Sequence, residues 1–259
     1  LYKKTSSLKK ISKIMLTKQE ILSFYKNAIK WHYRSKIERW ENLAPIFNFL
    51  KLQPNDKLLD IGCGSGVFVQ KARKLCQAFG VDLYPTQNLP YIFRADAEKL
   101  PFKNNSFSIV YLSKSFLLMR RKRVLEEVKR VLKSKGRLFI RELLYSPLWD
   151  KTISKVKSKL LKQKVSIIRK DPEIKKMITQ VLKRNGFKIK KVLKFQTRLT
   201  YPSQKILIER FFYYSPLIKF RKHIHTKIIK QTIKQIVRQI YKKKRTTYYN
   251  NILIEAIKN

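Results

Sequence analysis

Three glycines at alternate positions, Gly62, Gly64 and Gly66, follow an apolar run that carries an acid, Leu58-Leu59-Asp60-Ile61, and precede Val67-Phe68-Val69. The order reads as a strand, a tight turn and a helix. Glycine is required in such a turn because it takes backbone angles closed to other residues. It also lets a ligand approach the main chain with no Cβ in the way. A turn of this kind binds a phosphate or a nucleoside. The dinucleotide fingerprint G-x-G-x-x-G would put its third glycine at position 67, where Val67 stands, so the spacing here is G-x-G-x-G.

A second apolar run, Ala78-Phe79-Gly80-Val81, ends in Asp82. A carboxylate at such a strand end can accept two hydrogen bonds from a ribose diol. Asp96-Ala97-Glu98-Lys99-Leu100-Pro101-Phe102, the strand Ser108-Ile109-Val110-Tyr111-Leu112 and the run from Val131 to Ile140 follow in order. This ordered set resembles the class I S-adenosylmethionine-dependent methyltransferases, in particular the broad family that contains the quinone-biosynthesis methyltransferases. The resemblance is close over residues 56–142 and looser from there to the C-terminus.

The resemblance implies an α/β fold, a Rossmann-like seven-stranded, mostly parallel sheet with an antiparallel last strand. It implies a helical lid over residues 17–52, a methyltransferase domain over 53–259 and a basic helical insertion at about 198–247. It also implies S-adenosylmethionine as cofactor. By matched position, the backbone of Gly62, Cys63 and Gly64 lies against the methionine and ribose part, and Asp60 orients the amino group. Asp82 takes the ribose hydroxyls, Leu83 packs on the adenine, and Asp96 with the Ala97 amide reads the adenine edge. Gly66 and Ser113 complete the expected binding set.

Transfer from a sulfonium is an in-line displacement that mainly needs the acceptor held at attack distance, so no protein nucleophile is required. Trp31, His32 and Tyr33 fall in the expected lid, where they would face either the acceptor or the core. His32, Tyr33 or no residue at all would serve as base. After the fourth strand stands Ser113-Lys114-Ser115-Phe116 in place of the Asn/Asp-Pro-Pro-aromatic tetrad of enzymes that methylate exocyclic base amines. Methylation at carbon 5 of a pyrimidine needs a cysteine near that edge, and Cys63 and Cys76 lie in other motifs. An oxygen, a carboxylate, a ring nitrogen or an activated carbon remains as acceptor. Arg34 to Leu50 with Met119-Arg120-Arg121-Lys122-Arg123 further resembles the methyltransferases of tRNA wobble uridines, although Phe116-Leu117-Leu118 stands where those carry paired histidines.

The charge bears on the partner. The chain has 61 Lys and Arg against 16 Asp and Glu, a net +45, and residues 151–259 hold only Asp171, Glu173, Glu209 and Glu255 as acids. A field of that size draws polyanions. RNA bound through the basic second half is the leading expectation, and an anionic membrane surface with a quinone-like or lipid acceptor is the alternative. A non-catalytic RNA-binding subunit with this fold is the third reading, and drift in composition would explain the charge with no partner at all. Two cysteines are too few for a disulfide framework, no His/Cys cluster suggests a metal, and no apolar run approaches the roughly 18 residues needed to span a bilayer. These features predict a cytoplasmic protein. Residues 1–16 read as a disordered basic tail, with Met15 as a candidate start.

The remaining pattern predicts helices over residues 67–75, Arg120 to Lys133 and Glu173 to Arg184. It gives no full helix between Asp82 and Tyr91 and a poorly packed basic helix over Lys151 to Lys170. A sixth strand runs from Phe187 to Phe195 and the last from Asn251 to Ile257. Ile218, Ile224, Ile228, Ile229, Ile233, Ile236, Val237, Ile240 and Tyr241 fall on one helical face. His223 and His225, two apart, point to different faces.

Overall fold

The computed structural model describes residues 43–85, 87–144, 146–165, 171–201, 203–214, 217, 220, 224–241 and 246–258. The expected basic tail, the lid residues up to position 42, including Trp31, His32 and Tyr33, and His223 and Lys242 to Arg245 lie outside them. In chain order the elements begin with α1 (Ala44–Leu50), β1 (Lys57–Ile61), α2 (Val67–Ala72), β2 (Gln77–Asp82), β3 (Ile92–Arg94) and β4 (Phe107–Ser113). A 3-10 turn (Phe116–Leu118), α3 (Arg121–Val131), β5 (Leu132–Leu143), α4 (Pro147–Leu161) and α5 (Asp171–Arg184) follow. The chain ends with β6 (Phe187–Thr200), α6 (Gln204–Tyr214), α7 (Thr226–Tyr241) and β7 (Thr246–Lys258).

The seven strands form one sheet in the order β3-β2-β1-β4-β5-β7-β6. Strands β1 to β5 pair in parallel, and β7 runs antiparallel to β5, with Ile140 opposite Ile254. The fold is therefore the Rossmann-like sheet that the motif order implies. Parallel strands covered on both faces must be apolar throughout. Accordingly, Leu58, Leu59, Ile109, Val110, Leu138 and Phe139 are all fully buried.

The described residues fall into two compact units. The first holds those within 43–144, 171–197 and 249–258, and the second those within 146–165 and 198–248. In the first unit one sheet face packs against α3 and α5 through Val124, Leu125, Val128, Ile178 and Leu182. The other face packs against α1 and α2 through Ile46, Leu50, Phe68 and Val69. Phe47 stacks on Phe68 with ring centroids 5.1 Å apart. None of the described residues from Leu83 to Tyr91 is helical, in keeping with the two prolines there.

Several boundaries differ from the expected ones. Helix α2 stops at Ala72, where the chain turns and Arg73 donates to the Ala78 carbonyl at 3.1 Å. Leu132 leaves the helical pattern and pairs with Phe107 at the start of β5, and a register shift follows before Ile109 meets Arg137. Strand β7 begins at Thr246 rather than Asn251, and β6 continues to Thr200.

The second unit corrects two readings. The basic stretch expected to be poorly packed forms α4, whose Trp149, Ile153, Val156 and Leu161 are buried. Trp149 stacks on Phe211 of α6 at 3.9 Å. Helix α7 buries Ile229, Ile233, Ile236, Val237 and Tyr241 at helical spacing. Ile228, however, is 52% exposed, because a step of one residue from Ile229 turns it about 100° away from the core.

Candidate methyl-donor site

The ten residues singled out for cofactor binding lie at or next to the C-terminal edge of β1 to β4. Asp60 is 3% exposed and pairs across the sheet with Gly80 and Tyr111. Beyond Ile61 the chain turns back on itself: the Gly62 and Cys63 amides both donate to the Val81 carbonyl, at 2.8 and 3.1 Å, and the Gly66 amide donates to the Cys63 carbonyl. Gly62, Gly64 and Gly66 all have positive φ, at 76°, 55° and 71°. At Gly62 the need is also steric, since a Cβ there would lie 2.8 Å from the Ser115 Cβ. Ser115 is fixed in that place by its hydroxyl, which donates to the Ile61 carbonyl at 3.1 Å.

Asp82 closes the other side of the turn. Its Oδ2 accepts from the Gly64 amide and its Oδ1 from the Tyr84 amide, both at 2.9 Å. A carboxylate held at a strand end in this way is the type of acceptor that a ribose diol requires. Leu83 is half-buried next to it, and the Leu83 carbonyl accepts from Arg94 at 3.2 Å. The Ala95 amide donates to the Asp82 carbonyl at 3.0 Å and thereby brings Asp96 and Ala97 to the same edge. One oxygen of Asp96 accepts from the Glu98 amide at 3.0 Å, which fixes the carboxylate at this turn. The Ala97 side chain is buried in the core. Ser113 ends β4 beside Ile61 and Leu112 in the paired strands.

Cys63 points inward: a Cβ built on Gly80 would meet its Sγ at 2.7 Å. Cys76, between α2 and β2, is also buried, and burial with the nearby Asp56 pushes its thiol up to about 11. Cys76 therefore does not suit nucleophilic attack, which needs a thiolate. Ser65, inside the glycine turn, buries its hydroxyl without a hydrogen-bond partner.

Three groups escaped the reading of the motifs. Glu142, on β5, is 5% exposed and accepts a hydrogen bond from the Leu117 amide at 3.2 Å. Burial pushes its carboxyl up to about 7, against the opposing pull of that amide, Lys114 and Arg141. The sequence signal was Arg141-Glu142, two charges inside an apolar strand. Glu127 and Arg130 clamp the segment after Ala97: Glu127 accepts from the Leu100 amide at 2.6 Å, and Arg130 donates to the Leu100 and Phe102 carbonyls at 2.9 and 2.6 Å. Arg130 holds the Glu127 carboxyl below its usual range.

The site invites comparison with known proteins. A methyltransferase-domain family profile matches residues 59–140, the stretch from β1 to β5 that carries all ten of the residues singled out for cofactor binding. Residues 59–140 are a class I, S-adenosylmethionine-dependent methyltransferase domain. A sterol 4-C-methyltransferase of Caenorhabditis elegans is 30% identical over 118 residues, a stretch that takes in 39% of this chain and 35% of that relative. The chain thus matches about a third of the length of this curated protein. Among solved structures, the YcgJ protein of Bacillus subtilis aligns over 84% of this chain and 97% of its own, with 17% identity and a TM-score of 0.52. The [4+2]-cyclase SpnF aligns over 95% of this chain and 97% of its own, with 18% identity and a TM-score of 0.54. At such identities these likenesses establish the methyltransferase fold alone, and fold does not dictate reaction.

The residues fit the donor that the domain takes. The edge offers a carboxylate at Asp82, backbone amides in a glycine turn, an orphaned hydroxyl at Ser65 and a half-buried apolar side chain at Leu83. Among the described residues, no group of three or more His, Cys, Asp and Glu side chains could hold a metal ion. No helix among them is long and apolar enough to cross a membrane.

Proposed function

We propose that this chain methylates an apolar, lipid-like small molecule with S-adenosylmethionine as donor. The clasp between Asp82 and the Gly64 amide carries the donor half of the reading, since it fixes a carboxylate in the place and orientation that a ribose diol requires. The likeness to a sterol methyltransferase supports the acceptor half. None of the relatives lends support to RNA as acceptor.

When bound, the donor supplies an electrophilic methyl group on a sulfonium. The work left to the chain is binding and orientation. Asp82 accepts from the ribose hydroxyls at the end of β2. Asp60 orients the amino group of the methionine part, directly or through water, while the backbone of Gly62, Cys63 and Gly64 lies along it. Leu83 covers one face of the adenine, and Asp96 with the Ala97 amide accepts from and donates to its edge. Ser113, at the end of β4, completes the donor-binding edge. The absence of the Pro-Pro-aromatic tetrad there disfavours a base amine as acceptor.

Incubation with methyl-labelled donor and either membrane lipid extract or total RNA tests the proposal. Label in the organic extract is the expected result. Label confined to RNA would overturn the acceptor class, and failure to bind S-adenosylhomocysteine would overturn the donor site.

A further inference from the structure

Helices α4 and α7 pack against each other in the second unit, and their outward faces are cationic without any exposed acid. On α4, Lys151, Lys155 and Lys159 are exposed at intervals of four residues, so they form one stripe. The helix's one acid, Asp150, is 3% exposed and accepts from the Ser146 amide at its N-terminus. On α7, Lys227, Lys234 and Arg238 are exposed opposite the buried Ile229, Ile233 and Val237, and this helix has no acid at all. The two stripes are contiguous: the Lys159 ammonium donates to the Gln235 side chain across the helix pair.

We infer that this paired face is a docking surface for an anionic lipid bilayer. Charge complementarity selects a polyanion, because six cations with no counter-acid repel one another unless a surface of negative charge neutralises them. The apolar chemistry of the face selects lipid over RNA. Single-stranded RNA is held by aromatic platforms on which bases stack, and the aromatic residues of these two helices, Trp149 and Tyr241, are buried in the unit's core. What the face exposes instead is Ile228, a branched aliphatic residue beside Lys227. An exposed aliphatic side chain next to a lysine suits the boundary between headgroups and acyl chains, where the ammonium groups reach phosphates and the apolar group enters the interface. The inference deepens the proposed acceptor class and rests on it for its purpose: an enzyme that takes lipid-like acceptors gains by resting where they are dissolved.

The test is co-sedimentation of the full chain with phosphatidylcholine vesicles, with and without phosphatidylglycerol. Binding to the anionic vesicles only, and release by salt, is expected. The quadruple variant Lys155→Gln, Lys159→Gln, Lys234→Gln, Arg238→Gln should bind them at least about 100-fold more weakly, following the usual increment per basic residue near such a surface. It should bind S-adenosylhomocysteine as the parent does, which shows that it is folded. Ile228→Asp should weaken vesicle binding as well. Unchanged binding by the quadruple variant would overturn the inference. So would binding of total RNA that outcompetes anionic vesicles and is lost in the same variant. Vesicle binding requires neither donor nor acceptor, so vesicle binding without labelled product defeats the proposed reaction and leaves the surface standing.

Discussion

The Asp82 carboxylate accepts a hydrogen bond from the Gly64 amide at 2.9 Å, joining the end of β2 to the middle of the glycine turn 18 residues earlier. One side chain thus shapes the turn, and under the proposed function the same carboxylate receives a ribose. Asp82→Ala should therefore raise the dissociation constant of S-adenosylhomocysteine by at least about 10-fold, the worth of a hydrogen bond or two to a charged group. Asp82→Asn keeps one acceptor oxygen and should fall between the two. Calorimetric titration reads both, and equal affinity for parent and Asp82→Ala would sink the assignment of the site.

Gly62 faces Ser115 so closely that the two residues should couple. Gly62→Ala incurs the cost of a positive φ, about 1–2 kcal/mol, and a contact at 2.8 Å that must relax. Urea unfolding should show a loss of roughly 2–4 kcal/mol in total. Removing the opposing side chain in Gly62→Ala/Ser115→Gly should recover part of the steric cost and none of the backbone cost. Strict additivity of the two changes would argue that the contact is relaxed without strain.

How much of this was legible in the residues follows from what each pattern encodes. The glycine turn, the two strand-end acids and the order of the strands were readable because backbone conformation and ribose binding both demand specific residue types at fixed spacing. The packing of α4 was present in Trp149, Ile153 and Val156, at helical period, but its lysines drew the reading towards a solvated helix. The exposure of Ile228 could not be read, since isoleucine at one edge of an apolar stripe is compatible with either side of the boundary. The roles of Glu127, Arg130 and Glu142 depend on partners 25 to 30 residues away in sequence, Leu100, Phe102 and Leu117, which only the fold brings near.

Glu142 makes stability depend on pH in a definite sense. Its carboxyl is raised from 4.5 to about 7 in the folded chain, so the folded state binds the extra proton between those values. Stability is then greatest below the unfolded value, declines as pH rises from about 4.5 to 7 and is constant above, with a total span on the order of 3 kcal/mol. Glu142→Gln keeps an oxygen for the Leu117 amide and cannot ionise. Thermal unfolding between pH 5 and 8 should show the parent losing stability relative to this variant as pH rises, so that the variant is the more stable one at pH 8. Parallel curves for the two proteins would show that Glu142 does not titrate in that window.

Arg130 holds the segment after Ala97 through geometry that only a guanidinium provides. It donates to the Leu100 and Phe102 carbonyls and to Glu127 at once, with its side chain 31% exposed and that of Glu127 18% exposed. Arg130→Ala strands two carbonyls and a carboxylate, at a cost of about 2 kcal/mol. Arg130→Lys should recover little of it, because an ammonium lacks the planar fork that reaches several acceptors in fixed directions. The pair also sets the acid limb of stability. With the Glu127 carboxyl depressed, its contribution is present above the unfolded value and disappears as pH falls through the folded one. Arg130→Ala should flatten that acid limb while leaving the decline assigned to Glu142 intact. Urea unfolding at neutral pH and at about pH 4 distinguishes the two effects, and full stability of Arg130→Lys at both would refute the clamp.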